Sequence, residues 1–327
     1  MICYITPIAW LGLQNSEPLR RLILAKGSIA EVCVWGEDVF ENAVVSTHST
    51  FILKQPPDYP IRIVRGASVQ ELSVEAVKAA PFHRIEFSSS GAQRVLIAKL
   101  RAASKLLSYY CEVSQGITPY DRYSGQSAEV IKGRAYHSDR QVDSTFGQWL
   151  NGRDVGRYDM NWSGEWLSYG DWLGAPREAK FFTSEKLLCR EVPGSGKRIQ
   201  ATYHVGTIYC GHSVSPVIAR LDASVELKII LAVLNSTVAS WYARLCCANF
   251  AKDIFPKLNP SDIKEIPIPT ASAAEQATLS ALVDRILAAK RAGDEATIAG
   301  LEAEIDTHVF RLYGLTPEEI QLVQGAQ

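Results

Sequence analysis

The sequence predicts an α+β protein, and three observations carry that expectation. Near the N-terminus, apolar runs alternate with a helix-period segment; in the middle, short period-two runs are separated by glycines; at the end, two long helix-period stretches close the chain. The parts are residues 1–90, an incomplete α/β sheet edge; residues 91–270, an irregular β-rich domain with a buried helix; and residues 271–327, a C-terminal helical segment.

Ile2–Ile5 reads as a short buried strand stopped by Thr6-Pro7. Ser16 is placed to cap a helix over Glu17–Lys26, with Leu19, Leu22 and Ile23 on one face and Gly27 as its stop. Ile29–Trp35 and Val44–Leu53 read as strands. Strand, helix, strand, strand is too little for a domain, because the apolar strands keep unpaired edges. The piece begins at Met1 as if something had been cut away before it, which implies a covering partner or a missing first half. After an extended run at Ile61–Val64 comes a short helix expected over Val69–Ala79 and a break at Ser88–Gly91. Gln93–Tyr109 carries Val95, Ile97, Leu100, Leu106 and Leu107 at helical spacing, and reads as an amphipathic connecting helix.

From Cys111 the period changes. EVSQGITPY, AEVIKGRAY and TFGQWLNGRDV read as short extended pieces with glycine turns, and KLLCREV, RIQATYH and GTIYCGHSV as strands. Leu227–Cys247 is apolar nearly all round, which predicts one buried helix. Phe250–Leu258 reads as a loop, and the two prolines of IKEIPIPT forbid helix there. Ser272–Lys290 and Ala296–Tyr313 read as amphipathic helices broken at Ala292-Gly293-Asp294. Thr316 caps a last short helix, with Pro317 at its first position and Glu318-Glu319 in its first turn.

At 47% hydrophobic and 21% charged residues the composition is that of a globular chain with a sizeable core. The net charge of −1 predicts no polyanion partner, but its distribution is uneven. Between His83 and Arg220, Lys and Arg outnumber Asp and Glu by 5, and from Ala271 onward the acids lead by the same margin. A basic middle hints at a local anion-binding face. The 7 cysteines form no CxxC pair, so zinc is not expected, and they suit a reducing, cytoplasmic compartment. The N-terminus lacks a basic start and no apolar run reaches the ~18 residues of a membrane span.

Catalytic motifs are missing. There is no GxGxxG, Walker loop or GxSxG, and Gly194-Ser195-Gly196-Lys197 lies between strands rather than before a helix. His204 and His212 lack ligand spacing, and Glu302, Glu304 and Asp306 read as a solvated helix face. Gln148–Val192 stands out. It holds 4 of the 7 tryptophans (Trp149, Trp162, Trp166 and Trp172) among glycines and the cations Arg153, Arg157, Arg177, Lys180, Lys186 and Arg190. Two readings meet that mixture. Cations satisfy phosphates, arginine also reads guanine edges, and rings stack on bases. Alternatively, the tryptophans anchor a small β domain and the arginines lie on its surface.

The carrying residues for a resemblance are Leu150–Asp154 (LNGRD), Trp162–Tyr169 (WSGEWLSY), Lys186-Leu187-Leu188, Ala232–Ser236 (AVLNS), Trp241-Tyr242, Phe255–Leu258 (FPKL), Ile266–Pro269 (IPIP), Glu304–Leu315 (EIDTHVFRLYGL) and the following TPEEI. In this order and spacing the sequence resembles the C-terminal half of TaqI-like adenine-N6 DNA methyltransferases, including the target-recognition domain shared with type IIG restriction–modification enzymes. YITPIAWL, GEDVF and VVSTHSTFIL are similar to the part of the catalytic domain that follows the NPPY motif.

The resemblance implies that residues 1–90 are a remnant of a methyltransferase-like α/β domain and that residues 91–270 recognise a double-stranded DNA sequence. The expected DNA-binding residues are Gly152, Arg153, Asp154, Arg157, Arg177, Lys180, Lys186, Arg190, Lys197, Arg198 and Lys257. By position, Phe40 would stack on a flipped-out adenine, a core role being its alternative. The family's cofactor glycines and its NPPY tetrad have no counterpart here, and Asn259-Pro260-Ser261-Asp262 does not substitute for the latter. The expectation is therefore a recognition module without a cofactor or catalytic residues of its own. A separately encoded catalytic half would bind S-adenosylmethionine, and the residual sheet edge would serve partner binding or self-association. The alternative is a truncated enzyme remnant serving as a protein-interaction module.

Overall fold

The computed structural model describes residues 1–325 except 37–38, 42–44, 56–58, 86–89, 248 and 253–254. The chain divides into two compact units, Met1–Arg94 with Leu245–Ala248, and Val95–Arg244 with Asn249–Gln327. Secondary structure is mixed throughout, as the α+β expectation requires.

In the first unit, β1 (Ile2–Pro7), α1 (Glu17–Lys26), β2 (Ser28–Gly36), β3 (Thr47–Leu53), β4 (Ile61–Arg65), β5 (Ser68–Leu72) and α2 (Val74–Ala79) follow in order. The strands form one sheet in the order β1-β3-β2-β4-β5. β3 is antiparallel to both its neighbours, and β2 and β4 run parallel. Leu11, Leu24, Ile29, Val32, Ile61, Ile63 and Val77 make the core. The α1 helix is the one expected, but Ser16 makes no side-chain cap. Instead α1 is anchored by the fully buried Arg20, which donates to the carbonyls of Trp10 and Phe82. The helix expected over Val69–Ala79 is half strand. Gly66, at φ +55°, closes a hairpin that pairs Val69 with Val64. Helix starts only after Ser73, whose hydroxyl accepts from the amide of Ala76 at 3.1 Å. Val44, expected to open a strand, lies outside the described residues, as do Ser88 and Ser89.

The second unit begins at Val95, within α3 (Gly91–Ala102), which stops well short of Tyr109. Ser104–Leu106 instead pairs with Pro267–Pro269, so the IPIP run supplies a strand that pulls the chain out of helix. β6 (Cys111–Val113) follows, and then α4 (Ala128–Lys132), where an extended piece was expected. Ser127 caps α4 by accepting from Val130 at 3.3 Å. β7 (His137–Ser138), β8 (Phe146–Leu150), β9 (Trp166–Ser168), β10 (Lys186–Arg190), β11 (Ala201–His204), β12 (Tyr209–Cys210) and β13 (Val214–Ala219) complete the β-rich part. They make two four-stranded sheets, β12-β8-β9-β7 and β11-β10-β13-β6. Their shared core holds Trp149, Leu150, Val155, Leu167, Phe182, Leu188, Ile208 and Val214.

The single buried helix expected over Leu227–Cys247 is two, α5 (Leu227–Asn235) and α6 (Thr237–Cys246), bent by 67°. Ser236 between them is extended, at ψ 160°, and its hydroxyl accepts from Ala239 to start α6. α7 (Ala273–Ala292), α8 (Glu295–Leu312) and α9 (Pro317–Gln324) close the chain. Ser272 and Thr316 form reciprocal caps with Glu275 and Glu319, as expected for Thr316. Among the described residues no single helix is long and apolar enough to cross a membrane.

Candidate nucleic-acid interface

β8 ends at Leu150 and the chain turns tightly through Gly152–Asp154. Asp154 makes that turn. Its buried carboxylate accepts from the amide of Asn151 at 2.7 Å, and the Asp154 amide returns to the Asn151 carbonyl at 3.0 Å. Gly152 then lies against β13's approach, its amide donating to the Ser213 hydroxyl at 2.9 Å. A Cβ at Gly152 would stand 3.1 Å from that hydroxyl oxygen, so the close approach favours glycine. The result is a turn fixed by its own backbone, with Arg153 projecting from it: 79% of that side chain is exposed.

The turn forms one wall of a cleft of about 680 Å³, whose lining includes Arg134, Asn151, Arg153, Glu165, Arg190 and Ser213. Three arginines therefore meet here. Arg134, just beyond α4, pairs with Glu165 at 2.6 Å. Among the described residues Arg153 has only Asp154 as an ion-pair partner, at 4.0 Å. Arg190, the last residue of β10, has no ion pair among the described residues. Asn151 reaches the other Glu165 oxygen through Nδ2 at 3.4 Å, and its Oδ1 accepts from the Trp149 indole at 3.3 Å.

Aromatic groups back this site. Trp149 is 3% exposed and meets the His137 ring edge-on, with centroids 5.1 Å apart. The Tyr120 hydroxyl accepts from the Tyr136 amide at 2.9 Å and lies 2.8 Å from His137 Nδ1. Burial, with the charge of Arg134 beside it, pushes the His137 pKa down to about 4, so the ring is neutral at neutral pH. Trp162 packs on the core and donates to the Glu165 carbonyl at 2.9 Å, whereas Trp172 is 43% exposed.

Of the expected DNA-binding residues, the cleft brings together Gly152, Arg153 and Arg190, with Asp154 behind the turn. Three others are turned inward. Arg157 pairs with Glu302 at 3.0 Å and donates to the Asn235 carbonyl at 2.7 Å. Arg198 reaches the same carbonyl at 3.1 Å and lies 4.0 Å from Asp306. Lys186 is fully buried, donates to the Gly206 carbonyl at 2.6 Å, and has its pKa lowered to about 8 by desolvation. Asp154 serves the turn itself. Glu302 and Asp306 thus belong to an internal network rather than a solvated face, because two arginines and the Thr237 amide and hydroxyl close on them.

The remaining cations lie outside the cleft. Lys180 pairs with Glu112 at 2.8 Å, and Lys257 with Glu191 at 3.1 Å. Arg177 donates to the Gly116 carbonyl at 3.4 Å, and Lys197 to the Ala251 carbonyl at 3.2 Å. Phe40 belongs to the first unit and is 47% exposed. Arg134 and Glu165 were missing from the expected set, and the only sequence signal for either was the glutamate inside WSGEWLSY.

Residues 148–268 match the TaqI-like C-terminal specificity domain. The match is to the target-recognition part of the family that the sequence resembles, and the matched residues contain all of the cleft lining named above except Arg134. Among solved structures, the type IIL restriction–modification enzyme MmeI in complex with DNA superposes with a TM-score of 0.54 at 13% identity, over 99% of this chain and 49% of that one. The type IIG restriction endonuclease BpuSI gives a TM-score of 0.41 at 13% identity, over 95% and 47%. The HsdS subunit from Thermoanaerobacter tengcongensis gives 0.36 at 14%, over 68% and 50%. The chain spans about half the length of these structures. At such identities the likeness to MmeI is one of fold, and the two lower scores add nothing to it. No curated protein matches the sequence.

Proposed function

We propose that this chain recognises a specific double-stranded DNA sequence as the specificity part of a restriction–modification-type adenine methyltransferase. The observation that carries the reading is the cleft at the Asn151–Arg153 turn. It gathers three arginines, and the two that belong to the specificity domain, Arg153 and Arg190, have no ion-pair partner closer than 4.0 Å among the described residues. A cleft lined by charge of one sign focuses the field and raises the local concentration of an anion such as a phosphate backbone. Arg177, Lys180, Lys197 and Lys257 would hold flanking phosphates, and they position the duplex without reading it.

The catalytic half is proposed to be a separately encoded chain that docks on the first unit. β1 is the edge strand of its sheet, with Ile2, Tyr4 and Ile5 each about half exposed. Such an edge invites another strand. The sheet order, with β3 antiparallel between β1 and β2, suits the methyltransferase-like reading of this unit. Phe40 would then stack on the extracted adenine. Of the described strand-to-helix turns of this unit, the one after β1 holds a single glycine, Gly12, and the one after β5 holds none, so neither is glycine-rich. They do not fit an S-adenosylmethionine site, so the methyl donor is assigned to the other half.

The test is a mobility-shift titration of duplex DNA at increasing salt, with and without the candidate catalytic chain. Affinity should fall about 10³- to 10⁵-fold between roughly 50 and 200 mM salt if 6–10 phosphates are held. Absence of binding under both conditions at low salt overturns the reading.

A further inference from the structure

The arginine–glutamate pair at the cleft is built differently from an ordinary surface ion pair. Glu165 is fixed from its backbone, because its carbonyl accepts from both the Trp149 amide and the Trp162 indole at 2.9 Å. Its carboxylate is held between Arg134, at 2.6 Å, and Asn151, at 3.4 Å. Arg134 has a φ of +47°, a left-handed conformation that disfavours any residue with a Cβ. Glycine precedes it at position 133, yet the strained position itself carries arginine. The conformation ends α4, where the Arg134 and Ala135 amides donate back to the Ile131 and Val130 carbonyls at 3.3 and 3.2 Å, and it leaves the Arg134 side chain 55% exposed at the cleft.

We propose that Arg134 and Glu165 together determine base specificity by reading one G·C pair in the DNA major groove. The inference rests on the DNA-recognition reading above. In the major groove guanine offers two acceptors, O6 and N7, and its partner cytosine offers one donor at N4. A guanidinium beside a carboxylate presents donors next to an acceptor, which is the complement of that edge. Arg134 has five N–H donors and spends one on Glu165, so a fork remains for guanine. The carboxylate has lone pairs left for the cytosine amino group. An A·T pair offers no such match, because its adenine amino donor lies beside the N7 acceptor and its thymine adds an acceptor and a methyl group.

The experiment is selection of bound duplexes from a random-sequence pool by the full chain, with its catalytic partner if binding requires one. The wild-type motif should contain one position fixed as G·C. Glu165→Gln, which adds a donor where an acceptor is needed, should relax that position by about 5- to 150-fold and leave the other positions unchanged. Arg134→Lys, which keeps the charge but loses the fork, should relax the same position. If Glu165→Gln does not fold, Arg134→Lys decides alone. Variants that select the wild-type motif with unchanged stringency make the pair a structural ion pair only and overturn the inference. A wild-type chain that enriches no motif overturns the recognition reading itself.

Discussion

At Leu150–Arg153 the chain turns on an asparagine, and at Leu234–Thr237 it turns on another, yet the arginines around the two turns have opposite fates. Around Asn235 they are consumed. Arg157 and Arg198 converge on its carbonyl, and Glu302 and Asp306 of α8 neutralise them. The Asn235 side chain meanwhile imitates a strand, accepting from the Ala201 amide at 3.0 Å and donating to the Ala201 carbonyl at 2.9 Å. Around Asn151 the side chain serves the site instead, holding Glu165 and Trp149, while Arg153 and Arg190 stay open. The same residue types thus stiffen one turn and arm the other. What separates them is whether an acceptor is available inside the protein.

That contrast is broken most directly at Asn235. Asn235→Ala would leave the amide of the fully buried Ala201 without its partner, while the Ala201 carbonyl keeps the Tyr158 amide, at a cost of about 1–3 kcal/mol. Chemical denaturation should show that loss, and a cost below about 1 kcal/mol would mean that the clamp is dispensable.

The second effect is pH-dependent and tests the backing of the cleft. The unfolded His137 ring takes its proton near the usual histidine value of about 6.5, but the folded ring resists until about pH 4. The stability held by neutral His137 is therefore complete above pH ~6.5 and is lost as pH falls from there toward about 4. Burial lowers His48 and His204 to about 4 as well, so the wild-type decline has three contributors. Thermal unfolding of His137→Gln should show a shallower decline over this window, and an unchanged slope would remove His137 from the account.

The smallest stability effect is expected at the cleft arginines. Arg153→Ala and Arg190→Ala should each leave unfolding free energy within about 0.5 kcal/mol of the parent. Each should also weaken DNA binding and, where it meets a phosphate, lower the salt slope by about 1. A large stability loss in either would place it with Arg157 and Arg198 instead.

Much of this organisation was legible in the sequence. The α1 helix, the capped α9 helix and the strands at 186–190 and 201–204 follow from period and end signals, and LNGRD marked the turn that shapes the cleft. Three kinds of feature were not legible. The strand at 214–219 contains Pro216, which lacks an amide hydrogen and is rare inside a sheet, yet that strand lies between two others. The bend at Ser236 falls at the polar Asn235-Ser236-Thr237, a short interruption of an apolar run long enough to read as one helix. The fate of a cation is the third. Composition placed Arg153 and Arg157 together, but only the fold shows that one meets solvent and the other a carboxylate of a helix 145 residues later in the chain. Arg134 escaped notice because its segment read as extended and because its partner lies beyond the intervening β7 and β8.

Trp149 gives the cleft an optical consequence. Its indole donates to the side chain of the turn that forms the cleft wall, and its ring meets an imidazole edge-on. Anything that moves Asn151, or that charges His137, changes the polarity and quenching around a shielded chromophore. In a variant whose exposed Trp35 and Trp172 are replaced by phenylalanine, tryptophan emission becomes a more direct record of the cleft's occupancy and protonation.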